Sequence, residues 1–142
     1  MEITRETDYA VRCVLYLSRK GGEVVMIDEI SREMLIPRSF LAKILQRLSK
    51  TGIVTSFRGV KGGFQLAKKP EEVTLLDVIN AIQGPVAMNI CAVNEAACGF
   101  SSTCAVHPVW VDLREIVEGY LRKTDFRKLN TSLQTAAKKP KK

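Results

Sequence analysis

The chain has 142 residues, of which 46% are hydrophobic and 26% charged, and its formal net charge at pH 7 is +7. This length suits one domain with its own core, or a compact domain with an association element, and the composition is that of a soluble globular protein. No apolar run approaches the ~20 residues of a membrane helix, and residues 1–6 are too polar for a signal peptide, so we expect a cytoplasmic protein. The basic charge favours an anionic partner such as nucleic acid.

Three helices are predicted in the first third of the chain. Apolar residues at three- and four-residue spacing predict a helix over about residues 6–20, and Cys13 falls on its buried stripe, where a free cysteine behaves as a small apolar side chain. A second helix is predicted over residues 27–34 and a third over 38–51, separated by Pro37, which disfavours helical geometry in the residue before it. The predicted inner face of the third helix comprises Phe40, Leu41, Ile44, Leu45 and Leu48.

The second and third helices form a candidate helix-turn-helix. In that motif the second helix lies in the major groove of DNA, and here its outer face is basic and polar. The predicted DNA contacts on it are Arg38, Ser39, Lys43 and Arg47. A merely solvated helix face has the same composition, so this pattern alone is ambiguous.

A β-hairpin is predicted directly after the candidate recognition helix. Residues 53–57 and 64–67 have strand composition, and a glycine-rich turn joins them. This arrangement is typical of the winged variant of the motif. Arg58 and Lys61 lie at the predicted tip, where glycines let the backbone approach a phosphate or the minor groove, and we expect both to contact DNA. A purely structural hairpin would not need two cations there.

Three more helices are predicted in the rest of the chain. Thr74 and Asp77 have the spacing of a capping box at the start of a helix that ends near Gln83. A longer helix begins near His107, with a wide apolar stripe, and a short one follows over about residues 125–137. The stripe could pack on its own domain, but a homodimer interface is more economical, since helix-turn-helix proteins usually read two half-sites.

The predicted fold is therefore mainly α with a small β-hairpin wing: a winged helix-turn-helix with a long C-terminal dimerisation helix. Four segments are expected. These are a winged helix-turn-helix DNA-binding domain (1–83), a cysteine-containing sensor loop (84–106), a dimerisation helix with a C-terminal helix (107–135), and a disordered basic tail (136–142). The sensor loop is called the cysteine loop below.

Three of the four cysteines and the single histidine lie close together in the sequence. Cys91, Cys98 and Cys104 are separated by six and five residues, and His107 follows three residues later. In a reducing compartment such cysteines are thiolate ligands or redox-active thiols rather than disulfides. The spacing lacks the paired C-x-x-C knuckles of a structural zinc ribbon. Iron-sulfur clusters are held by thiolates, and three thiolates need a fourth partner, for which His107 is within reach.

Several motifs, in this order, resemble a known family. They are Thr7-Asp8-Tyr9-Ala10-Val11-Arg12 with Leu15-Tyr16-Leu17, then Arg58-Gly59 with Gly62-Gly63-Phe64, then the three cysteines followed by His107 and Trp110. Over nearly the whole chain they resemble the small winged helix-turn-helix regulators typified by the iron-sulfur cluster regulator IscR and the nitric-oxide sensor NsrR.

The resemblance implies an iron-sulfur cofactor and two alternatives for its fourth ligand. One is His107, as ligand of a two-iron cluster. The other is Asp8, since in the nitric-oxide sensors an aspartate of the partner subunit completes a four-iron cluster. Each has a plain structural alternative: His107 as a residue at a helix start, and Asp8 as a helix-start carboxylate. The chain departs from the family in its first cysteine gap, which has six residues instead of five, and in Val60-Lys61, where proline and glycine are common.

These observations favour a dimeric repressor that binds double-stranded operator DNA and whose affinity is switched by the cluster, which senses iron-sulfur status, redox state or nitric oxide. The alternative is a cluster-free regulator of the same family that uses its thiols, or a small-molecule or protein partner, as signal. An enzyme is not expected, because the sequence has no nucleophile-base pair, no phosphate-cradling glycine loop and no second histidine.

Overall fold

The structure is a computed structural model that describes residues 1–137, and side chains as far as Ser132. Its helices and strands are α1 (Arg5–Ser18), α2 (Ile27–Met34), α3 (Arg38–Lys50), β1 (Val54–Phe57), β2 (Gly63–Leu66), α4 (Leu75–Ile82), α5 (His107–Arg122) and α6 (Phe126–Ala137). The architecture is mainly helical with one two-stranded hairpin, as predicted. Of the predicted tail, residues 136 and 137 belong to α6, and residues 138–142 lie outside the described residues.

Local side-chain hydrogen bonds explain where α1 and α4 begin. At α4 the predicted capping box is present: the Thr74 amide donates to the Asp77 carboxylate at 2.9 Å, and the Asp77 amide donates to the Thr74 hydroxyl at 3.2 Å. At α1 the Thr4 hydroxyl accepts from the Thr7 amide at 3.2 Å. Both caps satisfy amides that a helix start would otherwise leave unpaired.

The main core forms around one face of α1. Ala10, Cys13 and Val14 on that face are completely buried, which confirms the core interpretation of Cys13. The residues of α3 that face it are Leu41, Ile44, Leu45 and Leu48, and Phe126 at the start of α6 is also completely buried. Burying one such side chain contributes about 1.5–3 kcal/mol.

The prediction that Phe40 lies in the core is wrong. Its side chain is 52% exposed, and its ring meets Tyr9 edge-on with 6.1 Å between centroids. Phe40 is one residue before Leu41, so it lies about 100° around the helix from that buried position. It therefore reaches the border of α1 and not the interior.

The hairpin is fixed to the helical core by its second strand. Val54 pairs with Leu66 and Phe57 with Gly63. Compared with the predicted ranges, β1 begins one residue later and β2 lies one residue closer to the N-terminus. Phe64 exchanges two 2.8 Å backbone hydrogen bonds with Val25 in the segment before α2. A Cβ on Gly63 would lie 2.4 Å from the Val25 carbonyl oxygen, so glycine permits this close approach.

Helix α5 is covered by the rest of the chain along one edge. Val117 and Leu121 pack against a second, smaller cluster formed by Leu76, Ile79 and Val86. Other apolar residues of the predicted stripe face outward: Val109 is 55% exposed, Ile116 68% and Tyr120 74%. None of the helices in the described part of the chain has the length and hydrophobicity of a membrane span.

The turn between α2 and α3 contains a strained residue, which leads to a stability prediction. Leu35 ends α2 with φ 54°, in the left-handed region, and its side chain is 80% exposed. That conformation costs a non-glycine residue about 1–2 kcal/mol. Glycine avoids this cost but loses about 0.5–1 kcal/mol of stability, because its unfolded chain has more conformational entropy. Leu35→Gly should therefore raise the free energy of unfolding by roughly 0.5–1 kcal/mol in urea titrations. Leu35→Ala, which keeps the strain, should show no such gain; equal gains from both would refute the explanation.

Candidate nucleic-acid interface and cysteine loop

The outer face of α3 presents polar side chains to solvent. Ser39 and Lys43 are exposed, and among the described residues Lys43 has no ion-pair partner. Arg38, in the first turn, pairs with Asp28 of α2 at 2.7 Å, but both side chains remain more than 60% exposed. An ion pair this exposed is weak, so Arg38 stays available to a phosphate.

Arg47 is placed differently from the other predicted contacts. Its guanidinium Nη1 donates to the Glu6 carboxylate of α1 at 2.9 Å. It lies on the flank of α3 that faces α1, on the same side as Phe40. A contact with DNA would require Arg47 to leave Glu6, so it is the weakest of the four candidates on the helix.

The hairpin tip has the exposed charges that the sequence predicts. Arg58 and Lys61 are both exposed, and Val60 between them is 99% exposed. Gly59 has φ 105°, and a Cβ on Gly62 would lie 2.5 Å from the Phe57 carbonyl oxygen. The tight turn therefore depends on glycine at both positions, and it holds the two cations on one small loop.

A groove between α3 and the hairpin adds two candidate contacts that the predicted set omitted. Gln46 and Lys50 line it together with Ser56 and Arg58. Gln46 and Lys50 continue the stripe of Ser39 and Lys43 at spacings of three and four residues, and this periodicity was the available signal. Glutamine can pair with an adenine edge through two hydrogen bonds, so Gln46 is suited to reading bases.

The cysteine loop contains two short 3-10 turns, Ile90–Ala92 and Glu95–Ala97. Cys91 lies in the first turn and is 7% exposed, whereas Cys98 and Cys104 are half-buried, and all three are free thiols. Arg114 of α5 donates to the Ala92 carbonyl at 2.7 Å and to Glu118 at 3.0 Å. This arginine therefore fastens the turn that carries Cys91 to α5.

The two candidate fourth ligands are in contrasting states. The Nδ1 atom of His107 is buried and has no hydrogen-bond partner among the described residues. Asp8 instead pairs with Arg12 at 2.7 Å on the surface of α1. A buried imidazole nitrogen without a partner is unfavourable and would be stabilised by a ligand, whereas Asp8 would first have to leave its arginine.

The donors suit an iron-sulfur cluster in kind, as three free thiols and an unpartnered imidazole nitrogen. They are not gathered: in residues 1–137 no three His, Cys, Asp or Glu side chains lie together in a group that could hold a metal ion. Cys13 is separate in chemistry as well as in position, because complete burial raises the pKa of its thiol to about 12. It remains protonated at neutral pH and is a poor ligand.

The chain combines a helix-turn-helix, a glycine hairpin that carries two cations, and a cysteine-bearing loop before a long helix. Along most of its length its sequence matches one protein family. A profile of Rrf2, described as an iron-dependent transcriptional regulator, matches residues 3–132. The chain belongs to the Rrf2 family of transcriptional regulators. The HTH-type transcriptional regulator IscR of Photorhabdus laumondii is 32% identical over 130 residues, which cover 91% of this chain and 79% of that protein.

Solved structures show the same fold. The T. potens IscR structure has a TM-score of 0.76 at 19% identity and covers 100% of this chain and 94% of its own. The structure of CymR, the global cysteine regulator of B. subtilis, has a TM-score of 0.71 at 21% identity, covering 93% and 98%. At these identities the likeness establishes the winged fold alone. The family itself makes this chain a DNA-binding regulator of transcription, which confirms the expectation that it is not an enzyme.

The individual DNA contacts remain predictions. Sequence preference and salt dependence distinguish side chains that contact bases from those that contact phosphates. The wild type and each variant are used to select DNA from the same random library. Lys43→Ala and Gln46→Ala should each select a different preferred sequence from that of the wild type, since each good base contact discriminates by about 1–3 kcal/mol. Lys61→Ala should weaken binding to all sequences and reduce the slope of log affinity against log salt by about 1.

Lys123→Ala is the matched control, because it removes the same charge from an exposed position after α5. It should leave both sequence preference and salt slope close to wild type. Equal, sequence-independent losses from Lys43→Ala and Lys61→Ala would show that Lys43 touches phosphate and not a base.

Proposed function

We propose that this regulator is a dimeric repressor whose affinity for operator DNA is switched by an iron-sulfur cluster held by Cys91, Cys98 and Cys104. The observation that carries the proposal is the placement of three free thiols and an unpartnered histidine nitrogen in and beside one loop. That loop joins the last helix of the winged domain to α5. The family profile, described as iron-dependent, and the relative named IscR support it.

The fourth ligand in this proposal is His107. Its Nδ1 would gain the partner that it lacks among the described residues. With His107 as ligand, all four ligands come from the same chain. Asp8 from a partner subunit is the alternative, at the expense of the Asp8–Arg12 ion pair. A two-iron cluster follows from the first ligand set, and a four-iron cluster from the second, by resemblance to the two kinds of regulator.

When bound, an iron-sulfur cluster supplies a centre that responds to oxidants, nitric oxide and iron supply. The residues of the chain determine how that response reaches the fold. Arg114 holds the Cys91 turn against α5, so this ligand moves with the helix. Cys98 and Cys104 are more exposed and lie on loop backbone, where rearrangement is easier. Gain or loss of ligation would therefore displace the loop relative to α5.

A homodimer through α5 fits the outward apolar face of that helix. Val109, Ile116 and Tyr120 are each more than half exposed and follow one another at seven- and four-residue spacing. A second copy related by a two-fold axis would cover the same face on both chains and present two recognition helices to two half-sites.

A thiol-based regulator is the second candidate, and two observations favour it. Cys98 and Cys104 are free and half-buried, hence accessible to oxidants, and the described residues contain no assembled metal-binding group. The fold of CymR, the global cysteine regulator of B. subtilis, is also similar. In this candidate the loop thiols, or a small molecule or protein partner, carry the signal.

Anaerobic reconstitution with iron and sulfide separates the two candidates. The wild-type protein should become coloured and retain iron and sulfide, and Cys91→Ala, Cys98→Ala and Cys104→Ala should each lose them, because three thiolates hold the cluster. Cys13→Ala should retain the cluster, since Cys13 is buried in the core. His107→Ala should shorten the lifetime of the cluster in air more than Asp8→Ala does; the reverse order would favour Asp8 as ligand.

A colourless protein with neither iron nor sulfide after reconstitution would rule out the cluster. Peroxide should then modify Cys98 and Cys104 in peptide mass spectra and change DNA affinity, while Cys13 stays unmodified.

Disruption of the exposed face of α5 tests the dimer. Ile116→Glu should convert the protein to a monomer at micromolar concentration in sedimentation velocity, because two carboxylates would be buried at an apolar interface. Glu115→Gln, a change at the neighbouring exposed position, should leave the dimer intact. A dimer that tolerates Ile116→Glu would place the interface elsewhere.

A further inference from the structure

The side chain of Gln83 binds the N-terminal segment of the chain. It follows the last residue of α4 and precedes Gly84, the first residue of the cysteine loop. Its Oε1 accepts from the Thr4 amide at 3.1 Å and from the Thr7 hydroxyl at 3.0 Å, and its Nε2 donates to the Glu2 carbonyl at 2.6 Å. A single amide side chain thus makes three hydrogen bonds to the segment that starts α1.

These bonds fix the orientation of the amide. Glu2 offers a carbonyl, which can be an acceptor and never a donor, while the backbone N–H of Thr4 can only donate. Exchanging the oxygen and nitrogen of Gln83 would therefore break both contacts. Thr7 is completely buried, and its hydroxyl also lies 2.9 Å from the Thr4 hydroxyl that caps α1. Small displacements of Gln83 therefore alter a directional network of which Thr7 is the buried member.

The same turn of α1 is also bonded to the recognition helix. Glu6, the neighbour of Thr7, forms the 2.9 Å ion pair with Arg47 of α3. One helical turn thus has the cysteine loop attached on one side, through Thr7 and Gln83, and the recognition helix on the other, through Glu6. Beyond this turn the inner face of α1 is buried against α3 and α4, so the first turn is attached to a firmly packed helix.

We propose that Gln83 is a positioning residue that couples the cysteine loop to the recognition helix through the first turn of α1. A rearrangement of the loop that begins at Gly84 changes the direction of the Gln83 amide, and its hydrogen bonds then either carry residues 2–7 with them or break. Either change alters the first turn of α1, which carries Glu6, and through the Glu6–Arg47 pair it changes the angle at which α3 meets DNA. This inference rests on the proposed function, since it requires a loop with two states.

The test compares DNA affinity in two states of each variant, so that coupling is measured separately from binding. For the wild type, the ratio of affinities between cluster-loaded and apo protein, or between reduced and peroxide-treated protein, should lie in the range of roughly 5–150-fold. Gln83→Leu keeps the bulk of the side chain and removes its hydrogen bonds. Its ratio should fall towards 1, with the iron content or thiol modification unchanged.

Asn80→Ala is the matched control, since it removes an exposed amide from the same helix. It should keep the wild-type ratio. Hydrogen exchange of the N-terminal peptide in the apo protein gives an independent reading: Gln83→Leu should lose protection at residues 4–7, and Asn80→Ala should not. If Gln83→Leu does not fold, Glu6→Ala decides, because it removes both the charge and the oxygen that accepts from Arg47 and should also lower the ratio.

Different failures point to different errors. A wild-type ratio well above 1 with the same ratio in Gln83→Leu, or in Glu6→Ala where that variant decides, would overturn this inference and leave the proposed function standing. A wild-type protein whose DNA affinity ignores both the cluster and thiol oxidation would overturn the proposed function, and the coupling role of Gln83 with it.

Discussion

Burial of one face of α1 holds the described part of the molecule together. Ala10, Cys13 and Val14 are completely buried there, and α2, α3, α4, α6 and β2 all contact this helix. A chain of this size relies on one main core, so the helix at its centre sets the relative positions of everything packed on it. The recognition helix and the helix that leads into the cysteine loop are both packed against α1, so their placement relative to each other depends on it.

The polar end of the same helix serves another purpose. Glu6, Thr7 and Asp8 are consecutive, and their side chains reach Arg47, Gln83 and Arg12 respectively. Exposed ion pairs add little to stability, so the pairs of Glu6 and Asp8 contribute little to it. The buried hydroxyl of Thr7 is more consequential, because an unpaired polar group in the interior costs about 1–3 kcal/mol. Core packing places the helices, and the contacts of Glu6 and Thr7 add polar links from α1 to α3 and to the end of α4.

The cysteine loop is irregular, and two side chains attach its first part to the fold. Gln83 binds its beginning to α1, and Arg114 binds the Cys91 turn to α5. Its two short 3-10 turns have few hydrogen bonds of their own, so in the proposed switch a change in what the thiols bind would be absorbed locally and passed on at these two attachments. Helix α5, half of whose apolar stripe faces outward, is then the element through which a second copy would sense the same change.

Much of the fold could be predicted because it depends on neighbours in the chain. Periodicity located every helix within one or two residues, and α2 agrees at both ends. The Thr74 capping box and the burial of Cys13 also follow from local spacing. The candidate DNA contacts on α3 and at the hairpin tip are exposed, as a polar helix face and a glycine turn would predict.

Contacts between residues distant in the sequence could not be predicted in this way. Phe40 has the composition of a core residue, yet the angle between α3 and α1 leaves it at the border. Arg47 has the same charge as Lys43, but the packing of α1 pairs it with Glu6. The sequence by itself determined the elements, the basic surface and the set of cysteines, because these are properties of spacing and composition. Tertiary packing alone decided that Gln83 meets Thr7 and that Arg114 meets the Cys91 turn, because each contact depends on how separate helices are oriented.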